Sequence, residues 1–271
     1  MSSSSSYNQF AHLEIPLEEI ASATNNFPDE NLIKGSELGK AYKGKILRSE
    51  QLIDIIAQRF DHEHRERDAE FWNEISMLST LDHKNLVSTV GFCVEDGLKI
   101  IVYKHKAKGS LDTFLRDPNL TWMRRLKICV GIAHALSYIH YDDGRDFSVI
   151  HCDIRSSKIL LDDDWEAKLS GFELSMKQTA NQRNGLFFTD VCGTYGYRDP
   201  TYNQSGSVTH KADMYSFGVV LFEVLCGKKA VMVEKNNRLL APVVISEYEG
   251  GRLNVGPGFR LFKRWAGKKL G

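Results

Sequence analysis

His151-Cys-Asp-Ile-Arg-Ser-Ser-Lys-Ile-Leu-Leu161, followed closely by Lys168-Leu-Ser-Gly-Phe-Glu-Leu174, is the stretch that decides the architecture of this chain. Residues 158–161 and 167–174 read as short strands around a turn. Just upstream, residues 122–140 place Leu126, Ile128, Cys129, Ile132, Leu136 and Ile139 on a long apolar stripe, which predicts a helix. Just downstream, residues 176–190 are polar and without period, which predicts a loop. Further on, residues 214–225 are almost wholly apolar, as a fully buried helix requires.

The first part of the chain has a different texture. Pro16 followed by Leu17, Ile20, Ala21 and Ala23 predicts a short helix started by proline. Gly35, Gly39 and Gly44 punctuate strands and turns, with strand runs at 52–57 and 98–103. Between those runs, Phe71, Ile75, Leu78 and Leu81 recur at threes and fours, so 61–82 is expected to be helical. A strand-rich first part and a helix-rich second part predict an α+β fold of two lobes with a cleft between them.

The 271 residues suffice for one large domain or two lobes without a disulfide or metal staple. Lys+Arg and Asp+Glu both total 35, so no global basic field exists to drive nucleic-acid binding. No run approaches the ~18–20 apolar residues of a membrane span. The start, Met1-Ser-Ser-Ser-Ser-Ser6, lacks a secretory h-region, and Ser2 stands where myristoylation needs glycine. Five scattered cysteines without a C-x-x-C suggest reduced thiols and a cytoplasmic location.

Several motifs in order give the chain a family resemblance. Glu19 to Phe27, Leu81-Asp-His-Lys-Asn-Leu-Val87, Gly91-Phe-Cys93, Val102-Tyr103 and Gly109-Ser-Leu111 are joined by Gly193-Thr-Tyr-Gly-Tyr-Arg-Asp-Pro200 and Asp213-Met-Tyr-Ser-Phe-Gly218. From about Glu14 to about Ala230 the chain resembles the plant receptor-like serine/threonine protein kinases. The resemblance implies a kinase-like fold: a preceding segment with a small lobe over 14–105 and a partial large lobe over 106–253. Residues 1–13 would be a Ser-rich leader and 254–271 a basic tail, with the last helices of the large lobe missing.

Phosphoryl transfer needs a phosphate cradle, a lysine held by a glutamate, metal ligands and a base. Carried over residue by residue, those parts are mostly degraded. The G-x-G-x-x-G-x-V pattern falls on Lys34, Ser36, Gly39 and Ala41, so only Gly39 survives. The lysine of V-A-I-K falls on neutral Gln58, with Lys34 or Lys40 as the alternative cations. Its glutamate partner is retained as Glu74, and Tyr103 lies at the hinge approach. Asp153 matches the family's catalytic base, Cys152 replaces the preceding arginine, and Arg155 keeps the following positive charge. The metal-holding asparagine becomes Lys158 and the metal-holding aspartate becomes Gly171; Glu173, two residues on, is the alternative carboxylate.

The positions of the nucleotide site are thus Gly39, Gln58, Glu74, Tyr103, Lys158 and Gly171, with no metal ligand. ATP is expected to bind weakly if at all, and no cofactor is expected. Asp213 corresponds to the residue that anchors the catalytic-loop backbone, while A-P-E has become Asp199-Pro200-Thr201. Thr189, Thr194 and Tyr195 are candidate acceptors of phosphate from another kinase. Three functions stay open: a pseudokinase scaffold or regulator of an active receptor-like kinase, a weakly active kinase, and a truncated relic. The tail, with Arg252, Arg260, Lys263, Arg264, Lys268 and Lys269 around Phe259, Phe262 and Trp265, reads as a solvated or frayed terminus, or as a peripheral contact to an anionic membrane surface or an acidic partner. His62 and His64 read as part of a charged face, not a metal site.

Overall fold

A computed structural model describes residues 9–33, 39–60, 66–104, 108–179, 187–188, 193–233 and 236–250. The small lobe runs α1 (Leu17–Ala23), β1 (Leu32–Ile33), β2 (Ala41–Arg48), β3 (Gln51–Phe60), α2 (Glu66–Leu78), β4 (Ser88–Glu95) and β5 (Leu98–Lys104). Its strands form one antiparallel sheet in the order β1-β2-β3-β5-β4. Ser49 and Glu50 both take positive φ, the geometry that matches a two-residue turn to the twist of β2 and β3.

The large lobe follows with β6 (Gly109–Ser110), α3 (Leu111–Phe114), α4 (Trp122–Tyr141), β7 (Phe147–Ile150), β8 (Ile159–Leu161), β9 (Ala167–Leu169), β10 (Met176–Thr179) and β11 (Phe187–Phe188). Then come α5 (Pro200–Ser205), β12 (Ser207–Val208), α6 (His210–Cys226), β13 (Val231–Met232), β14 (Arg238–Leu239) and α7 (Leu240–Glu249). One apolar cluster runs from Phe71 on α2 and Phe92 on β4, through Phe172, to Ile132 on α4 and Val220 on α6. Apolar burial therefore ties the two lobes together.

Four sequence expectations need correction. The loop expected over 176–190 begins as strand β10, paired antiparallel with β7. Its inward residues are Met176 and Gln178, and the polar Gln178 hid the alternation that marks a half-buried strand. The strand expected over 167–174 ends at Leu169, because Gly171 takes φ +83° and the chain turns, with Ser175 N donating to Phe172 O. The helix expected over 61–82 occupies Glu66–Leu78 among the described residues. Phe10, assigned to the leader, is only 6% exposed and belongs to the core cluster.

The segment before the sheet is anchored to it. Helix α1 starts at Leu17, directly after Pro16, whose carbonyl accepts from Glu19 N and Ile20 N. A Cβ on Gly44 of β2 would sit 2.5 Å from Ala23 O, so glycine there lets the end of α1 rest on the sheet.

Candidate functional site

Helix α6 sets the backbone of the 151–158 loop. Asp213, buried near its start, accepts from His151 N at 2.7 Å and Cys152 N at 2.9 Å, and lies 2.8 Å from His140 Nε2. These bonds hold Cys152 at φ +68°, a conformation that costs a cysteine free energy unless its surroundings impose it. The loop so held presents Asp153, Arg155 and Lys158 to the cleft.

Asp153 has no free oxygen. Its Oδ1 accepts from Thr194 N at 2.9 Å and Thr194 Oγ1 at 2.7 Å. Its Oδ2 takes Arg155 Nε at 3.1 Å and lies 2.6 Å from Lys158 Nζ. Burial opposes its ionisation, but Lys158 and then Arg155 outweigh burial and hold the carboxyl well below the usual carboxylate range.

Lys158 is the centre of the arrangement. Its ammonium carries three protons and meets three acceptors: Asp153 Oδ2, Glu173 Oε1 at 2.5 Å and Gly171 O at 3.2 Å. Burial disfavours the charge, yet Glu173 and Asp153 more than compensate, so the ammonium holds its proton more firmly than an ordinary lysine. The aliphatic stem lies across Gly171. A Cβ there would come within 2.5 Å of Lys158 Cδ and 2.8 Å of Cε. Lysine at 158 and glycine at 171 are therefore one sterically coupled unit. Glu173, the alternative ion-holding carboxylate, gives its Oε1 to that ammonium, and a divalent cation at its other oxygen would stand beside a fixed positive charge.

The small-lobe side is built from β3, β5 and α2. Gln58 on β3 is buried and pairs in register with Ala41 of β2; Gly39, at φ +125°, precedes that strand. Arg59, its neighbour, turns to the other side and lies 5.4 Å over the Phe27 ring. Glu74 on α2 is fully buried and accepts from Tyr103 OH at 3.1 Å, while its other oxygen has no hydrogen-bond partner among the described residues. Lys40 is exposed, and Lys34 and Ser36 lie outside the described residues. The cation that acts on Glu74 is Lys158.

Burial, reinforced by Glu173, pushes the Glu74 carboxyl up to about 8. Glu74 is therefore largely protonated at neutral pH. The folded chain keeps that proton where the unfolded chain has released it, so stability falls as pH rises from 4.5 towards 8. Glu223, pushed up to about 7 by burial, acts in the same sense below that pH. His151, lowered to about 4 by burial and Lys158, acts in the opposite sense below 6.5. Urea unfolding between pH 6.5 and 8 should thus show wild-type stability falling as pH rises, Glu74 alone contributing up to about 1.4 kcal/mol per pH unit, with Glu74→Gln removing most of the slope. A slope unchanged in Glu74→Gln would show that Glu74 is already ionised.

Two groups escaped the sequence reading. Asn73, beside Glu74, donates its side-chain amide to Phe172 O at 3.3 Å, Glu173 O at 2.9 Å and Ser175 O at 2.8 Å, fixing α2 to the 171–175 turn. Tyr197 OH donates to Glu223 Oε1 at 2.7 Å, and the same oxygen accepts from Ala230 N at 2.8 Å. A polar residue inside an otherwise apolar helix was the only available signal for Glu223. Of the candidate phosphate acceptors, Thr194 is engaged with Asp153, Tyr195 is exposed, and Thr189 lies outside the described residues. The tail, the His62–His64 stretch and Arg252 also lie outside them. Among the described residues no group of three His, Cys, Asp or Glu could hold a metal, and no helix is long and apolar enough to cross a membrane.

Comparison with known proteins places these parts in context. The protein tyrosine and serine/threonine kinase family matches residues 29–253. The receptor-like protein kinase ANXUR1 of Arabidopsis thaliana is 41% identical over 218 residues, which are 79% of this chain and 25% of that protein. The receptor-like protein kinase FERONIA of the same plant is 39% identical over 216 residues, 79% of this chain and 24% of its own length. A probable serine/threonine-protein kinase, PBL7, also from Arabidopsis thaliana, is 40% identical over 218 residues, 79% of this chain and 56% of that protein. The chain thus spans about a quarter of the length of these receptor-like relatives.

Proposed function

The chain belongs to the plant receptor-like protein kinase family, and we propose that it is a member whose cleft does not transfer phosphate. On this reading it is a pseudokinase. It acts in cytoplasmic signalling as a binding scaffold or regulator of an active receptor-like kinase.

The observation that carries the reading is the Lys158 ammonium. It lies between Asp153 and Glu173, with all three protons engaged. In the family, positions 158 and 171 hold the metal that chelates the triphosphate. Here one supplies a positive charge and the other only a backbone carbonyl already taken by that charge. A divalent cation brought there would meet a fixed cation at contact distance, so these residues do not fit a magnesium ion.

Gln58 adds no charge for phosphate, and Glu74 opposite is a neutral acid, not the anion that would hold a lysine in place. The charges of Lys158 and Arg155 are spent on Asp153 and Glu173, so the cleft offers little net attraction to a triphosphate. Removing one preorganised charge-stabilising group typically costs ~10²–10³ in rate. With the lysine and both metal positions changed, a fall of about 10⁴ or more from an ordinary kinase turnover is expected, even allowing for non-additivity.

The test is phosphate incorporation from radiolabelled ATP, with magnesium or manganese, for wild type and Asp153→Asn. Both should give the same background. Incorporation by wild type that disappears in Asp153→Asn would overturn the reading. A parallel thermal melt should show little or no shift with ATP, and no dependence of any shift on a metal chelator.

A further inference from the structure

Away from the cleft, a cavity of about 300 Å³ opens between α3, the turn that ends α6, and β13. Its floor is apolar, formed by Leu115, Val231 and Met232. At its edge stands Val233, 76% exposed, an unusual exposure for a large aliphatic side chain beside a cavity. Arg116, Lys228 and Lys229 rim the opening, against one acid, Asp112, which lies 3.0 Å from Lys229. Among the described lining residues, three cations against one anion leave the rim positive.

An apolar floor with a basic rim selects an apolar anchor flanked by carboxylates. The chain carries such a segment on its own surface. At the end of α7, Glu247-Tyr-Glu249 presents Tyr248 at 72% exposure between two acids, with Ile245 exposed one turn earlier. Tyrosine is a favoured anchor at interfaces because it buries a large rigid ring and keeps a polar tip. The chain's own terminal stretch beyond 251 has the wrong sign for this cavity, with six cations and no acid.

We infer that the chain associates with a second copy of itself, the Glu247-Tyr248-Glu249 turn of one copy entering the Arg116/Lys228/Lys229-rimmed cavity of the other. The contact joins two different patches, so it is heterologous. Because it amounts to about one helical turn, the association is weak and salt-sensitive.

Sedimentation velocity on the full chain, from low micromolar to several hundred micromolar, tests this. Wild type should show concentration-dependent association that weakens with added salt. Tyr248→Ala on one side, and Val233→Asp with Lys228→Glu on the other, should each weaken association by about tenfold or more. All these side chains are on the surface, so melting temperatures should stay at the wild-type value. Mixing the two variants should restore association, because one retains the cavity and the other the turn. A chain monomeric at every concentration would overturn the inference. So would association that both variants retain, or a mixture no stronger than its components. Uptake of a Glu-Tyr-Glu peptide from another protein by a chain that stays monomeric would equally overturn it.

Discussion

Gly171→Asp alone is expected to leave phosphate transfer undetectable and to destabilise the chain, although it restores the family's metal-holding residue. The new Cβ would lie 2.5 Å from Lys158 Cδ on a backbone at φ +83°, so the lysine stem must shift and its contacts with three buried acceptors are disturbed. Lys158→Asn alone is also expected to stay silent, because it leaves a glycine where the metal-holding aspartate is needed and a neutral Gln58 on β3. Only the combination Gln58→Lys, Lys158→Asn, Gly171→Asp and Glu173→Gly removes the internal ammonium, clears its stem and returns a cation to the side of Glu74. We expect this variant to incorporate phosphate at least about 10³-fold above the wild-type background, from the size of the groups restored. Asp153→Asn placed on that background should remove the gain. Radiolabel incorporation measures both. A single Gly171→Asp change that restored transfer at wild-type stability would contradict the steric coupling of 158 with 171.

The architecture was legible because its signals are local. The apolar stripe over 122–140 and the apolar block over 214–225 each read directly as α4 and α6. The degraded positions were equally plain, since they are identities at fixed places in ordered motifs. What the motifs could not convey was how the substituted residues meet. That Lys158 turns inward to Glu173, and that its stem needs a glycine at 171, are distances between residues 13 and 15 positions apart. With its lysine replaced by Gln58, the sequence left Glu74 three outcomes: solvation, another cation or a raised pKa. Burial makes it a neutral acid bonded to Tyr103, and burial is a property of the packed chain. Asn73 was invisible for a simpler reason: an asparagine on a helix is ordinary until its amide is seen to reach three carbonyls of another segment. Met176 to Thr179 was missed because its alternation is carried by Gln178, a residue that periodicity counts as polar.

Lys158→Met should be among the most destabilising single changes available in this chain. Methionine fills much of the same volume and keeps the apolar stem over Gly171, so packing is largely preserved. What it removes is the group that, among the described residues, bridges Asp153 and Glu173, two carboxylates each no more than 5% exposed. Breaking a buried pair from one side typically costs about 3–5 kcal/mol, because the remaining charge is left uncompensated. Here two acids compete for relief, and only Asp153 keeps a cation, Arg155. Urea unfolding at pH 8 should therefore show a loss of that size. Adding Glu173→Gln to Lys158→Met should recover a substantial part of the loss at pH 8, since it deletes one of the two unpaired charges. A Lys158→Met chain as stable as wild type would mean that the ammonium is not holding these carboxylates. The electrostatic basis for a silent cleft would then fail together with the stability argument.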